Sequence, residues 1–74
     1  MKKILVVEDI LSIRTAITDL LNVNYQTFSA GNYESGIEIL KNESIDLLIT
    51  DIKMPGKSGL DLIKYVREFY PNIL

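Results

Sequence analysis

Neither cysteine nor histidine occurs among the 74 residues. The first absence excludes disulfides, thiolate chemistry and zinc–sulfur sites. The second removes the commonest general base and metal ligand, and with them any histidine-based phosphoryl carrier. Whatever chemistry the chain performs must use carboxylates, hydroxyls, amides and lysines. Basic charge is also scarce: 8 Lys and Arg stand against 10 Asp and Glu, for a net charge of −2. Nothing is concentrated enough to track a phosphate backbone, so direct nucleic-acid binding is not expected. Long hydrophobic runs are missing. After Lys2-Lys3, only Ile4-Leu5-Val6-Val7 precede the charges of Glu8 and Asp9, too few for a secretory h-region. No stretch could span a bilayer, and the expected location is the cytoplasm.

What is present reads as one globular domain. An apolar share of 47% argues against disorder. A chain this short buries only about 60% of its unfolded surface and is marginally stable by itself.

Hydrophobic patterning divides the chain into alternating elements. Ile4 to Val7 is an aliphatic, β-branched run, read as a strand buried on both faces. Ile13, Ala16, Ile17, Leu20 and Leu21 recur at helical spacing, with Ser12 as the expected N-cap. Tyr25 to Ser29 alternates as an edge strand does, and Ala30-Gly31-Asn32 is a turn. Tyr33, Ile37 and Leu40 mark a weaker helix carrying Gly36. Asp46 to Thr50 contains Leu47-Leu48-Ile49, a second buried strand that runs into Asp51. A loop, Pro55-Gly56-Lys57-Ser58-Gly59, follows. Ser58 with Asp61 predicts a capping box, and Leu62, Ile63, Val66 and Phe69 continue a third helix, which Pro71 stops. Ile73-Leu74 reads as the opening of a further strand. The order β-α-β-α-β-α-(β) implies a parallel α/β sheet with right-handed crossovers.

The two most hydrophobic strands should neighbour each other at the centre, and both end in acid. Ligands of open α/β sheets bind outside the carboxyl ends of the strands. Adjacent strands lie about 4.8 Å apart, so Glu8, Asp9 and Asp51 are expected to converge. Three carboxylates that close repel one another, which a divalent cation or a proton relieves. Oxygen ligands with room for water suit Mg²⁺, and the backbone carbonyl of Lys53 is a further candidate ligand. An Asp after a strand often only caps the next helix. Here Glu8 is a poor cap, Ser12 and Ser58 supply the caps, and all three acids share one sheet edge. Asp19, Glu34, Glu38, Glu43, Asp61 and Glu68, with Lys57 and Lys64, read as solvated charges. Asp46 belongs at the opposite end of the sheet.

These residues carry a resemblance. Ile4-Leu5-Val6-Val7-Glu8-Asp9, then Asp46-Leu47-Leu48-Ile49-Thr50-Asp51-Ile52-Lys53-Met54-Pro55-Gly56, then Ser58-Gly59-Leu60, resemble the receiver domain of bacterial two-component response regulators across essentially the whole chain. The resemblance implies a flavodoxin-like, doubly wound parallel sheet with strand order 2-1-3-4. It implies that Asp51 accepts a phosphoryl group from a phosphohistidine on a sensor histidine kinase or phosphotransfer protein. It also implies that Asp9, Glu8, Asp51 and the Lys53 carbonyl hold Mg²⁺. Such a domain assists its own phosphorylation without being a classified enzyme.

A receiver has five strand–helix units. Residues 1–74 correspond to its N-terminal portion: three units and the start of a fourth strand. The family's switch Ser/Thr and its phosphate-binding Lys lie on strands four and five, which these residues do not reach. Lys53, Lys57 and Lys64 do not stand in for that Lys. Exposed strand and helix surfaces then make self-association an expectation. The alternative is an interaction or assembly module that is never phosphorylated. Other Mg²⁺ enzyme classes fit less well. A topoisomerase–primase-like site wants Asp-x-Asp where Asp51-Ile52-Lys53 stands, and a haloacid-dehalogenase-like site wants it where Glu8-Asp9-Ile10 stands.

Overall fold

Four consecutive aliphatic side chains, Ile4 to Val7, are at most 2% exposed. They form most of strand β1 (Lys3–Val7), which lies in the middle of the sheet. The computed structural model describes residues 1–74. Two further strands, β2 (Gln26–Ala30) and β3 (Leu47–Thr50), flank β1, both parallel to it, in the order β2-β1-β3. The expected neighbourhood of the two most hydrophobic strands is therefore observed, with Val7 opposite Thr50. Helices α1 (Leu11–Leu21), α2 (Tyr33–Asn42) and α3 (Gly59–Phe69) connect and follow the strands.

Alternation along β1 sends its side chains to two layers. Leu5 and Val7 join Ala30, Leu40, Ile45, Met54, Leu62 and Val66 in one core beneath α2 and α3. Each Leu, Ile, Val or Met among them, once fully buried, contributes about 1.5–3 kcal/mol. Gly36 lets α2 settle into this layer: a Cβ there would stand 3.2 Å from Val7 Cγ2 and 3.7 Å from Leu62 Cδ2. Ile4 and Val6 face the other way, on the side where α1 packs against β1 and β2. Helices on both faces make this the doubly wound, flavodoxin-like arrangement.

Capping follows sequence chemistry at two helices. Asn32 caps α2 by accepting from the Ser35 N–H at 2.8 Å. Ser58 caps α3 in the expected capping box: the Asp61 carboxylate accepts from the Ser58 N–H at 2.9 Å, and the Ser58 hydroxyl accepts from the Asp61 N–H at 3.3 Å. Asp46 is where it was expected, at the opposite end of the sheet, its carboxylate accepting from the Lys3 N–H at 2.8 Å.

Four expectations need correction. Ser12 does not cap α1. The helix starts earlier, with Ile10 as N-cap and no side-chain cap, because the Arg14 N–H already reaches the Ile10 carbonyl at 3.0 Å. The apolar stripe of α1 is not buried: Ile17 and Leu21 are half-buried, while Ile13, Ala16 and Leu20 are exposed. Strand β3 is half-buried along its whole length, since it has β1 on one side only. Ala30 belongs to β2, not to the turn after it. Ile73-Leu74 falls short of a strand, yet its backbone is placed as one would be. The Leu74 N–H donates to the Asp46 carbonyl at 3.2 Å, and the Leu74 carbonyl accepts from the Leu48 N–H at 2.9 Å. Those bonds lie on the side of β3 away from β1, while the strand order of the sheet itself is 2-1-3.

Candidate functional site

The ladder between β1 and β3 places the acids. Because Val7 and Thr50 are opposite, the next residues of both strands, Glu8 and Asp51, emerge side by side. The Asp51 N–H extends the ladder by donating to the Val7 carbonyl at 3.0 Å, and the Glu8 N–H donates to the Ala30 carbonyl of β2 at the same length. All three strand ends are thereby fastened around one point. Carboxylate oxygens of Glu8, Asp9 and Asp51 lie within 4.8 Å of one another. The convergence read from the sequence is observed for all three residues.

Their environments differ. Glu8 is 7% exposed, Asp51 half-buried and Asp9 exposed. The Glu8 carboxylate bends back to accept from the Asp9 N–H at 3.0 Å. Burial raises the pKa of Glu8 above its ordinary value of 4.5, and hydrogen bonding to and charge on Asp51 raise it further. Asp51 Oδ1 accepts from the Lys53 N–H at 3.3 Å, which turns the chain after β3 around the carboxylate. Met54 anchors the same loop by burying its side chain in the core. Gly56, at φ +76°, supplies the left-handed turn that returns the loop towards α3.

No cationic side chain pairs with the trio; the one ion pair of the structure is Lys3–Glu43, at 3.1 Å. A buried carboxylate held beside two others, with oxygen donors only, fits a hard divalent cation such as Mg²⁺. The remaining acids do not join the cluster. Two features escaped the sequence. Lys57, read as a solvated charge, lies with Nζ 5.2 Å from the centroid of the Tyr33 ring. Arg14 reaches back from α1, its Nη1 donating to the Glu8 carbonyl at 2.9 Å. Its place in the first turn after the acidic pair was the available signal.

Comparison with known proteins agrees with this geometry. The family described as "Response regulator receiver domain" matches residues 4–74. Sporulation initiation phosphotransferase F of Bacillus subtilis is 36% identical over 73 residues, 97% of this chain and 59% of that protein. A response regulator receiver domain protein from Clostridium thermocellum superposes with a TM-score of 0.93 at 33% identity, covering 99% of this chain and 60% of that one. Response regulator TrrA of Thermotoga maritima, solved in complex with Mg²⁺-BeF, is 36% identical with a TM-score of 0.88, over 96% of this chain and 63% of its own. TrrA has also been solved in complex with the histidine kinase ThkA. The chain thus spans about three-fifths of the length of these relatives.

Proposed function

The chain belongs to the response regulator receiver family of two-component systems, and on that footing we propose that Asp51 accepts a phosphoryl group from a phosphohistidine of a partner kinase or phosphotransfer protein. The observation that carries the proposal is the convergence of Glu8, Asp9 and Asp51 at the carboxyl end of β1 and β3. Among the three, Asp51 combines partial access with a fixed backbone: its N–H is held by Val7, and its carboxylate is oriented by the Lys53 N–H. Glu8 is buried and turned onto the Asp9 N–H.

In the proposed step an Asp51 carboxylate oxygen attacks phosphorus. The P–N bond to the donor imidazole breaks, and the imidazole keeps the electron pair and takes up a proton. The product is an acyl phosphate on Asp51. Phosphoryl transfer gains most of its rate from positioning and charge neutralisation. Mg²⁺, when held by Glu8, Asp9, Asp51 and the Lys53 carbonyl, supplies that neutralisation. Asp9 is the most exposed of these three acids. The protein is a phosphoacceptor that assists its own reaction, not a turnover enzyme. Residues 1–74 span about three-fifths of the length of the relatives, and none of them takes the place of the family's switch Ser/Thr or phosphate-binding Lys. An unphosphorylated assembly module would not need three acids held together, which favours the phosphoacceptor reading.

The test uses the full-length protein that carries this segment, with a small acyl phosphate and Mg²⁺. Wild type should incorporate a base-labile, hydroxylamine-labile phosphoryl group, and Asp51→Asn should not. Undiminished label in Asp51→Asn refutes the assignment.

A further inference from the structure

Arg14 has no part in the roles assigned above. It sits in the first turn of α1, five residues after Asp9, and its side chain folds back towards the loop before its own helix. Its Nη1 donates to the Glu8 carbonyl at 2.9 Å. The Glu8 N–H is bound to Ala30 at 3.0 Å, and the Glu8 carboxylate takes the Asp9 N–H at 3.0 Å. Both backbone groups of Glu8 are therefore held, one by β2 and the other by Arg14. The guanidinium also fills the space beside Gly31, where a Cβ would stand 2.6 Å from Nη1. One side chain thus bonds the loop after β1 and packs beside the loop after β2.

We propose that Arg14 is a positioning residue of the metal centre, holding the Glu8–Asp9 peptide so that both carboxylates stay in register with Asp51. The proposal rests on the reading that these three acids bind Mg²⁺. Two effects of opposite sign decide its test. The guanidinium charge repels a cation, so removing it favours Mg²⁺ binding. Arg14 is only partly buried, so the high dielectric of nearby water weakens that repulsion. Removing the hydrogen bond frees a carbonyl beside the ligands, and the loss of such an outer-shell partner typically weakens metal binding about 10–100-fold. Positioning therefore dominates, and the sign of the change identifies it.

The experiment is isothermal titration of Mg²⁺ into the metal-free, full-length protein, with thermal unfolding in EDTA alongside. Arg14→Met keeps the apolar stem and loses donor and charge. It should weaken binding at least about tenfold while the metal-free protein stays folded. Arg14→Lys, which keeps a cation and a donor, should recover most of the loss. Unchanged or tighter binding in Arg14→Met overturns the proposal, as does an Arg14→Lys variant as weak as Arg14→Met. A variant that cannot fold assigns Arg14 to the fold and overturns it too. Asp9→Asn separates the two readings. Unchanged affinity there removes the metal site and this role together. Weakened affinity there, with Arg14→Met unchanged, removes this role alone.

Discussion

Gly59 presses its Cα against the Asp51 carbonyl so closely that no side chain fits between them. The Gly59 N–H donates to the Ile52 carbonyl at 2.9 Å, so the start of α3 is stitched to the residues leaving β3. A methyl group at Gly59 would overlap the Asp51 carbonyl and crowd the Ile52 Cα, both backbone atoms that cannot rotate away. Gly59→Ala should therefore destabilise by about 1–3 kcal/mol, the usual range for overpacking, or more, and should slow phosphorylation by shifting Asp51. Gly56→Ala is the control. Its cost comes from the positive φ alone, about 1–2 kcal/mol, because nothing lies within 4 Å of the added methyl. Urea midpoints and labelling rates of the two variants check this. Equal labelling rates would show that the Gly59 contact does not position Asp51.

Glu8 makes a pH prediction for the metal-free protein. Burial first, and Asp51 second, raise its pKa above 4.5. A raised acid binds its proton more tightly folded than unfolded. Its stabilising contribution is complete below the unfolded value and is lost as pH rises through the folded value. Thermal unfolding in EDTA should show that loss, and Glu8→Gln should flatten it. Mg²⁺ should restore stability where all three acids are charged, by about 1.4 kcal/mol at ten times its dissociation constant. A metal-free profile identical in wild type and Glu8→Gln would contradict the burial argument.

The capping box at α3 predicts the opposite pH behaviour. The Ser58 N–H first, and the Ser58 hydroxyl second, hold the Asp61 carboxyl below its ordinary value of 3.8. That contribution is present above 3.8 and disappears as pH falls through the folded value. Ser58→Ala should cost about 1 kcal/mol at neutral pH. Asp61→Asn should reduce the acid sensitivity, and circular dichroism on acid titration measures both.

Residues 1–74 prepared as a separate polypeptide should associate. The radius of gyration, 11.3 Å, is that of a compact chain of this length, so the exposed apolar side chains do not come from loose packing. Leu11 at the start of α1, Leu20 near its end and Val23 just after it are 65%, 76% and 76% exposed. Strand β3 meets only Leu74 on its outer side. Sedimentation should show a mass that rises with concentration. A monomer with a sharp near-ultraviolet spectrum from its tyrosines across that range would contradict this.

The legible part of the fold was the part set by local chemistry. Ile4–Val7 and Leu47–Ile49 announced strands by unbroken aliphatic character, and acids at their ends announced the site. Ser58 and Asp61 announced a cap by their spacing. What stayed hidden depends on direction in space. Ser12 has the chemistry of a cap, but the backbone had already turned helical at Leu11. The α1 stripe has the period of a buried face, yet none of its residues is buried. Arg14 and Lys57 are long side chains whose partners, the Glu8 carbonyl and the Tyr33 ring, are set by tertiary structure. The need for glycine at position 59 arises from a contact with the residues just after β3, which spacing alone does not reveal.

Asp51 alone of the three carboxylates is the proposed acceptor. Glu8, Asp9 and Asp51 lie within 4.8 Å of one another, so loss of label in a variant does not by itself say which oxygen was phosphorylated. Borohydride reduces an aspartyl phosphate to homoserine and leaves a free carboxylate intact. The full-length protein should be treated with a small acyl phosphate and Mg²⁺, reduced, digested and sequenced by mass spectrometry. Homoserine is expected at position 51, with Glu8 and Asp9 unchanged. Reduction at Asp9 or Glu8, with Asp51 recovered intact, would contradict it.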